Sequence, residues 1–192
     1  MKPTTTTTTT RCPWSLSSEL MMDYHDSEWG TPVHDDTLLF EYIVLDTFQA
    51  GLSWSTILNK REKFRKAFDN FDYKKIARYS EKKIQKLLTD AGIIRNKLKV
   101  YGTVNNAQRF LEVQKEFGTF DKYIWQFTGD KVINNKWKDQ KQVPARTVES
   151  DAMSKDLYSR GFKFVGSTIC YAFMQAAGLV DDHIVSCHRN KK

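Results

Sequence analysis

The sequence has few cysteines and no long apolar run, and both shortages limit what the protein can be. Its 192 residues include three cysteines, Cys12, Cys170 and Cys187. This small, odd number argues against a disulfide framework and favours a reducing, cytoplasmic location. The most apolar stretch, residues 165–177, is shorter than the ~20 residues that a helix needs to cross a bilayer, so we expect no contact with membranes.

Sequence signatures of several common enzyme classes are also absent. The chain has no Walker A motif, no G-x-G-x-x-G, no H-E-x-x-H, no G-x-S-x-G and no zinc-deaminase pattern. These motifs position phosphates, dinucleotides, catalytic zinc or a serine nucleophile. Their absence argues against a nucleotide hydrolase, a dinucleotide-dependent oxidoreductase, a metalloprotease and an esterase.

The chain nevertheless has ample material for one folded domain. Hydrophobic residues make up 40% of it, with 12 Phe, 8 Tyr and 5 Trp, which excludes global disorder. Residues 1–10 include seven consecutive threonines and predict a disordered tail, which leaves residues 11–192 as the domain. The net charge is +7, which suits a polyanionic partner such as nucleic acid.

Apolar residues recur at helical spacing through most of the chain. Leu39, Tyr42 and Ile43 form the apolar stripe of a helix over residues 35–49. Residues 130–147 are polar and predict a surface loop, and segments with strand alternation are too short to count. We therefore predict an all-α fold, a single compact helical domain of two lobes. Further helices are expected over residues 53–68, 80–88, 95–117, 120–127, 150–160 and 167–178.

Four potential metal ligands lie near the two ends of the domain. Cys12 and His25 come early, whereas His183 and Cys187 come late and share one face of a helical turn. Two cysteines and two histidines can make a closed tetrahedral zinc site. Such a clip would stabilise the fold by tying down the termini. The spacing alone is equally consistent with residues that are unrelated to one another and bind no metal.

A glycine-centred turn at Gly92 joins two predicted helices. This arrangement places backbone N–H groups at a helix N-terminus, where they can bind a phosphate. Arg95, Lys97 and Lys99 add positive charge at the same place. The element resembles the helix-hairpin-helix that binds DNA backbones without sequence preference. An ordinary hairpin of two helices is the alternative.

One carboxylate occupies an apolar position of a predicted helix. Asp46 lies on the apolar stripe, where desolvation of its charge is costly without a partner. Inward-facing carboxylates of this kind are candidates for functional sites. Trp14, Tyr24, Trp29 and Trp54 come from the same part of the chain. Flat rings around one negative charge suit a planar cationic ring, whereas the alternative is a core carboxylate paired with Lys, Arg or a backbone N–H.

Six short segments form a series that spans nearly the whole domain. The segments are R-C-P-W from Arg11, Y-H-D-S-E-W-G from Tyr24, Q-A-G-L-S-W from Gln49, D-A-G-I-I-R from Asp90, R-G-F-K-F-V-G from Arg160 and M-Q-A-A-G-L-V from Met174, the last followed by Asp182 and His183. In this order the series resembles the 3-methyladenine DNA glycosylase I family of helix-hairpin-helix enzymes. The resemblance implies a helical enzyme that flips 3-methyladenine out of alkylated double-stranded DNA and hydrolyses its N-glycosidic bond.

The resemblance also implies roles for individual residues. It implies one structural zinc ion, with Cys12, His25, His183 and Cys187 as its ligands. It further implies a base pocket and a DNA-contacting surface. The pocket residues are Tyr24 and Trp54, with Trp14 and Trp29 near them, and the DNA-contacting residues are Gly51, Leu52, Gly92, Arg95 and Lys97.

One departure from the family concerns the carboxylate that recognises the base. The family typically has Glu where this chain has Asp46, our candidate catalytic residue, whose reach is one methylene shorter. Either the helix lies closer to the base, or a water bridges the gap, or base preference changes. Thr47 and Phe48 also differ from the commoner residues, which predicts a reshaped pocket wall. No lysine stands out as a Schiff-base nucleophile, so we expect no lyase activity.

Three other functions fit parts of the sequence. A DNA-binding module without enzymatic activity would use the hairpin and the basic charge but not an interior Asp46. A hydrolase or binder of free modified nucleosides would use the pocket but not the hairpin. A purely structural protein would use the zinc clip alone and would leave the carboxylate unexplained. Whichever function applies, we expect the protein to be a monomer.

Overall fold

The computed structural model describes residues 9–190, and helices dominate this part of the chain, as predicted. The expected threonine-rich tail lies mostly outside the described residues. Thr10, at its end, accepts a hydrogen bond from the backbone N–H of His188 at 2.9 Å, so the two ends of the described chain are in contact. Within residues 9–190, no helix combines the length and the apolarity that spanning a membrane requires.

Polar N-cap residues fix where most of the helices begin. Asp35 accepts a hydrogen bond from Leu38 at the start of helix α2 (Asp36–Gln49), and Asn96 accepts one from Lys99 at the start of helix α7 (Lys97–Phe117). Caps of this type typically stabilise a helix by about 1 kcal/mol. The ten described helices are α1 Glu19–Ser27, α2 Asp36–Gln49, α3 Trp54–Leu58, α4 Arg61–Ala67, α5 Tyr73–Ile76, α6 Glu81–Thr89, α7 Lys97–Phe117, α8 Phe120–Trp125, α9 Val148–Ser159 and α10 Ser167–Ala176.

Helix α2 is the centre of the fold. Every residue from Leu39 to Phe48 is buried, because α3, α7, α8 and α10 pack around the helix. Phe40, for example, meets Phe110 of α7 edge to face, with ring centroids 5.2 Å apart. A helix that is enclosed in this way leaves no face on which a charged side chain can reach bulk water. Asp46 is therefore interior, as the sequence pattern predicts.

The structure has two helices, α1 and α5, that are not among the predicted ones, and it differs from the prediction in two further places. The helix expected over residues 53–68 is divided into α3 and α4. The expected loop over residues 130–147 contains a two-residue strand, β1 (Ile133–Asn134), which pairs in parallel with β2 (Val180–Asp181). Strands of two residues show no alternation, so the sequence gives no signal for them. Their pairing holds the loop against the segment that precedes His183.

A close approach of two backbones requires glycine at position 178. Gly178 follows α10 with a φ of +70°, and a Cβ placed there would lie 2.3 Å from the carbonyl carbon of Thr31. The chain is held close here because the N–H of Val33 donates to the carbonyl of Ala177 at 3.0 Å. No side chain fits between these segments without moving the backbone.

We therefore expect Gly178→Ala to destabilise the protein by about 2–4 kcal/mol, measured by urea unfolding, because it adds both a clash and left-handed strain. Gly129→Ala is the matched control. Gly129 has a similar φ of +63° but no atom within 4 Å of the added Cβ, so this variant should lose about 1 kcal/mol. Equal losses in the two variants would contradict the importance of the close approach.

Candidate active site and metal centre

A cavity of about 290 Å³ opens where α1, α2, α3 and α10 meet. The structure brings all five predicted pocket residues together in its walls. These are Trp14, Tyr24, Trp29, Asp46 and Trp54. The remaining lining residues are Met21, Gln49, Gln140, Ala172, Gln175 and Ala176.

Aromatic rings form much of the cavity wall. The Tyr24 and Trp54 rings are inclined to each other at 46°, with centroids 5.2 Å apart. Trp14 meets Trp29 edge to face at 4.9 Å. The indole N–H groups of Trp14 and Trp54 are buried and have no hydrogen-bond partner among the described residues. The cavity thus offers flat apolar surfaces together with unused donors, which suits a planar heterocycle.

Asp46 places a desolvated acid in this cavity. Its side chain is only 2% exposed, and its Oδ2 atom has no hydrogen-bond partner among the described residues. Burial raises the pKa of Asp46 well above its ordinary value, because the charged form loses its hydration. The nearby Tyr24 and Cys170 do not offset this, since burial also raises their pKa values and keeps both neutral. A cationic ligand would supply the missing partner and stabilise the ionised carboxylate.

The residues that follow Asp46 lie outside this cavity. Phe48 packs against Phe64 in the core, with ring centroids 4.8 Å apart, and Thr47 lines a small separate void beside Ile43 and Cys170. Neither side chain lines the cavity, so any effect of these two residues on its wall is indirect. Of these three residues, Asp46 is the one whose side chain lines the cavity.

Sequence analysis missed one wall of the cavity, which the polar loop and α10 supply. Gln140, from a short 3₁₀ turn in the loop, and Gln175 of α10 both line the cavity. The Oε1 atom of Gln140 is buried without a hydrogen-bond partner among the described residues. A polar loop without periodicity gives no indication of which residue turns inward, so the pattern could not identify Gln140.

The carboxylate of Asp182 holds this wall in place. Asp182 is fully buried, and it accepts hydrogen bonds from Asn135 and Trp137 of the loop at 2.7 and 2.8 Å. It also accepts from Tyr171 and Gln175 of α10 at 2.6 and 2.8 Å. Both of its oxygens are thus in use, in contrast to those of Asp46.

Three of the four predicted metal ligands lie together. The candidate ligand atoms of Cys12, His25 and Cys187 are all within 4.8 Å of one another, and all three residues are buried. His183 lies beside the group, with its ring centroid 4.8 Å from that of His25. Its Nε2 atom is buried and has no hydrogen-bond partner among the described residues. An orphaned imidazole nitrogen next to two thiols and a second imidazole fits a metal ion.

Carboxylates orient both histidine rings toward this group. The Nδ1 atom of His25 is 2.7 Å from Asp26, and the Nδ1 atom of His183 is 2.7 Å from Asp181. Each contact leaves the Nε2 atom as the ligand, which is the usual arrangement of histidines around metals in proteins. Burial lowers the pKa of His25 and so favours the neutral ring that binds metals.

The predicted DNA-contacting residues lie in two exposed turns. Gly51 has a φ of +83° with open space around it, and Leu52 is 41% exposed. Arg95, which follows the Gly92 turn, and Lys97, the first residue of α7, are both exposed. The N–H of Gly92 donates to Asp90 Oδ1 at 2.7 Å, however, so it is not available for the phosphate contact that the sequence suggests.

Lys99 also departs from the sequence prediction. It is buried instead of adding charge at the hairpin surface, and its Nζ atom donates to the carbonyls of Phe48 and Ala50 at 3.0 and 2.7 Å. The positive charge at the hairpin surface therefore comes from Arg95 and Lys97. The first N–H groups of α7 have no partners inside the helix. That of Lys99 donates to the Asn96 side chain, which leaves those of Lys97 and Leu98 for an anion.

Comparisons with known proteins agree with this geometry. A family model described as methyladenine glycosylase matches residues 14–190. The DNA-3-methyladenine glycosylase of Haemophilus influenzae is 48% identical over 93% of this chain and 97% of that protein. A crystal structure of 3-methyladenine DNA glycosylase I, 42% identical, covers 95% of this chain and 100% of that one with a TM-score of 0.92.

A second solved structure adds a ligand. It is a tyrosine-to-phenylalanine variant of a 3-methyladenine DNA glycosylase I in complex with 3-methyladenine, and it is 32% identical with a TM-score of 0.91. The match covers 95% of this chain and 98% of that chain. Fold, length and sequence agree from one end of the domain to the other, and the chain belongs to the methyladenine glycosylase family.

Proposed function

We propose that this protein is a monofunctional glycosylase that hydrolyses the N-glycosidic bond of 3-methyladenine in alkylated double-stranded DNA. One observation carries the proposal: the Oδ2 atom of the buried Asp46 has no hydrogen-bond partner among the described residues, and this acid lies in a cavity walled by aromatic rings. A purine alkylated at a ring nitrogen is both flat and cationic while it is attached to the sugar. Its flat ring would stack on the aromatic walls of the cavity, and its positive charge would pair with the carboxylate of Asp46.

Discrimination against undamaged adenine follows from the desolvation of Asp46. The attraction between a carboxylate and a cationic ring is stronger where water is excluded. Neutral adenine offers no charge that compensates for ionising Asp46 in the cavity. Tyr24 and Trp54 would stack on either base, at about 1–3 kcal/mol per stacked base, and so contribute affinity without selectivity. Trp14 and Trp29 would complete the wall.

The chemical step demands little from the protein, because an alkylated base is already a good leaving group. General acid catalysis, which a neutral base would require, is not needed. Asp46 is the one carboxylate among the described lining residues, and its role is to bind the extruded base. Water is the nucleophile. No lysine occurs among the described lining residues, and the buried Lys99 donates to two carbonyls, which supports hydrolysis without lyase activity.

DNA would be held at the two exposed turns, with the hairpin of α6 and α7 acting as a helix-hairpin-helix. Arg95, Lys97 and the N-terminus of α7 would bind phosphates without reading sequence. Gly51 and Leu52 would approach the lesion as the base leaves the stack. The Gly92 turn would shape the hairpin through its bond to Asp90. These contacts favour DNA over the alternative substrate, a free modified nucleoside, which has no use for a phosphate-binding surface.

We further propose that Cys12, His25, His183 and Cys187 hold one structural zinc ion. Two thiols and two imidazoles form a closed ligand set that leaves no position for a reactive water. The ion would cross-link the two ends of the domain and take no part in the reaction. The carboxylates of Asp26 and Asp181 would keep the imidazole rings oriented.

The first prediction concerns the activity of Asp46. Asp46→Asn should reduce release of 3-methyladenine from methylated DNA on the order of 10²-fold, because it removes the charge that pairs with the base. Asp46→Glu should retain more activity than Asp46→Asn, since the charge is kept. Single-turnover assays with identification of the released base would measure both. Near-normal activity of Asp46→Asn would remove Asp46 from the mechanism.

The same substitution should affect stability in the opposite direction. The raised pKa of Asp46 means that the folded protein binds this proton more tightly than the unfolded chain does. Its contribution to stability is therefore complete below the unfolded pKa, about 3.9, and declines as the pH rises toward the folded pKa. Asp46→Asn should be more stable than the wild type at pH 7, by a margin that vanishes near pH 4. A constant margin would contradict the raised pKa.

The zinc proposal predicts a change in metal content and stability together. Cys187→Ala should lower both the zinc content of the purified protein and its melting temperature, as should a strong chelator acting on the wild type. Cys170→Ala is the matched control, because Cys170 is equally buried but donates to the carbonyl of Val165 and lies outside the ligand group. Wild-type protein that contains no zinc would refute the clip.

The absence of lyase activity can be tested directly. A Schiff base between a lysine and the DNA sugar would be reduced by borohydride to a covalent adduct. We expect no adduct with methylated DNA, and we expect strand breakage at the abasic product only after alkali. A known bifunctional glycosylase serves as the positive control. An adduct that disappears in Lys99→Met would show instead that this lysine reacts.

A further inference from the structure

Lys99 is an unusual lysine because it is buried and has a defined pair of partners. It is only 7% exposed, and it is the one buried lysine within residues 9–190. Its Nζ atom donates to the carbonyls of Phe48 and Ala50, at the end of α2. The last carbonyls of a helix have no partners inside the helix and form its negative end, where a cation is favourable. Lys99 thus caps the helix that carries Asp46.

The contact also joins two parts of the proposed DNA-binding surface. Lys99 lies in the first turn of α7, directly after the hairpin, whereas Ala50 precedes the exposed Gly51 and Leu52. The Leu52 backbone N–H closes the turn by donating to Gln49, so the segment is compact. A displacement of the hairpin would be transmitted through Lys99 to this turn.

A second lysine, Lys60, contacts the hairpin itself. Lys60, between α3 and α4, donates through Nζ to the carbonyls of Ala91 and Gly92 at 3.1 and 3.3 Å. Lys60, which follows α3, therefore holds the hairpin, while Lys99, which follows the hairpin, holds the end of α2. The two ammonium groups tie the stretch over residues 48–60 to the hairpin at both of its ends, which restricts movement of one against the other.

We propose that Lys99 is a positioning residue for base extrusion: it fixes the turn at residues 50–52 relative to the hairpin, so that phosphate binding at the hairpin places Leu52 at the lesion. The inference rests on the proposed function. Extruding a base from a duplex requires that the inserted residue stay fixed in position, and small misplacements of positioned groups reduce the rate of an enzyme strongly. Lys99 supplies that rigidity from below the turn, without contacting the base.

The proposal separates base extrusion from base binding, and this separation makes it testable. An oligonucleotide with a single adenine is methylated in two separate duplexes. One duplex contains its full complement, and the other contains a strand with an abasic position opposite that adenine, where little extrusion work is needed. Single-turnover release of 3-methyladenine is measured on both substrates, and binding of free 3-methyladenine is followed by tryptophan fluorescence.

We expect Lys99→Met to slow release from the full duplex by about 10- to 100-fold more than release from the duplex with the abasic position opposite the lesion. Binding of free 3-methyladenine should stay near the wild-type value. Lys99→Arg, which keeps charge and donors, should recover much of the duplex rate. Lys155→Met, on an exposed position of α9, controls for the loss of one positive charge and should behave as the wild type.

Lys60→Met provides a second variant at a half-buried lysine, which keeps the test decisive if Lys99→Met fails to fold. It should show the same selective loss on the full duplex. Equal slowing on both substrates, or no slowing by either variant, would overturn the inference. Wild-type protein that releases 3-methyladenine from neither substrate would instead refute the proposed function, so the two failures are distinguishable.

Discussion

The site depends on one constraint: a carboxylate that cannot reach water. Asp46 is carried by a helix that is buried along nearly its whole length, so the acid cannot rotate outward to find solvent. Its neighbours in the cavity wall are aromatic, aliphatic or amide groups that supply no positive charge. The fold maintains this unfavourable environment through the packing of α3, α7, α8 and α10 around α2. A protein optimised for stability alone would place an apolar residue there.

Much of this arrangement could be predicted from the sequence, because it depends on local patterns. The limits of α2 follow from its cap at Asp35 and its apolar period, and that period also places Asp46 inside. The aromatic residues of the cavity and the cysteine and histidine set come from short, distinctive segments. Side-chain type and spacing suggest a pocket and a metal site, and the resemblance of these segments to the 3-methyladenine DNA glycosylase I family is what assigns the individual residues.

The remaining features depend on contacts that no local pattern encodes. Gln140 enters the cavity because Asp182 holds Asn135 and Trp137, and neither partner can be inferred from the polar loop. Lys99 looks like one more surface lysine until α2 and α7 are packed together. The hydrogen bond from Gly92 to Asp90 depends on a turn geometry that the D-A-G segment permits but does not require.

The contact between Cys187 and His25 joins residues 162 positions apart, and it has a consequence for how the protein matures. The metal-ligand group, the buried Asp182 and the Gln175 wall all draw on the last part of the described chain. During synthesis on the ribosome, the segment that bears Asp46 emerges long before the residues that enclose it. The cavity wall is complete only after α10 and Asp182 have left the exit tunnel, so a growing chain has no finished base-binding site with which to engage DNA.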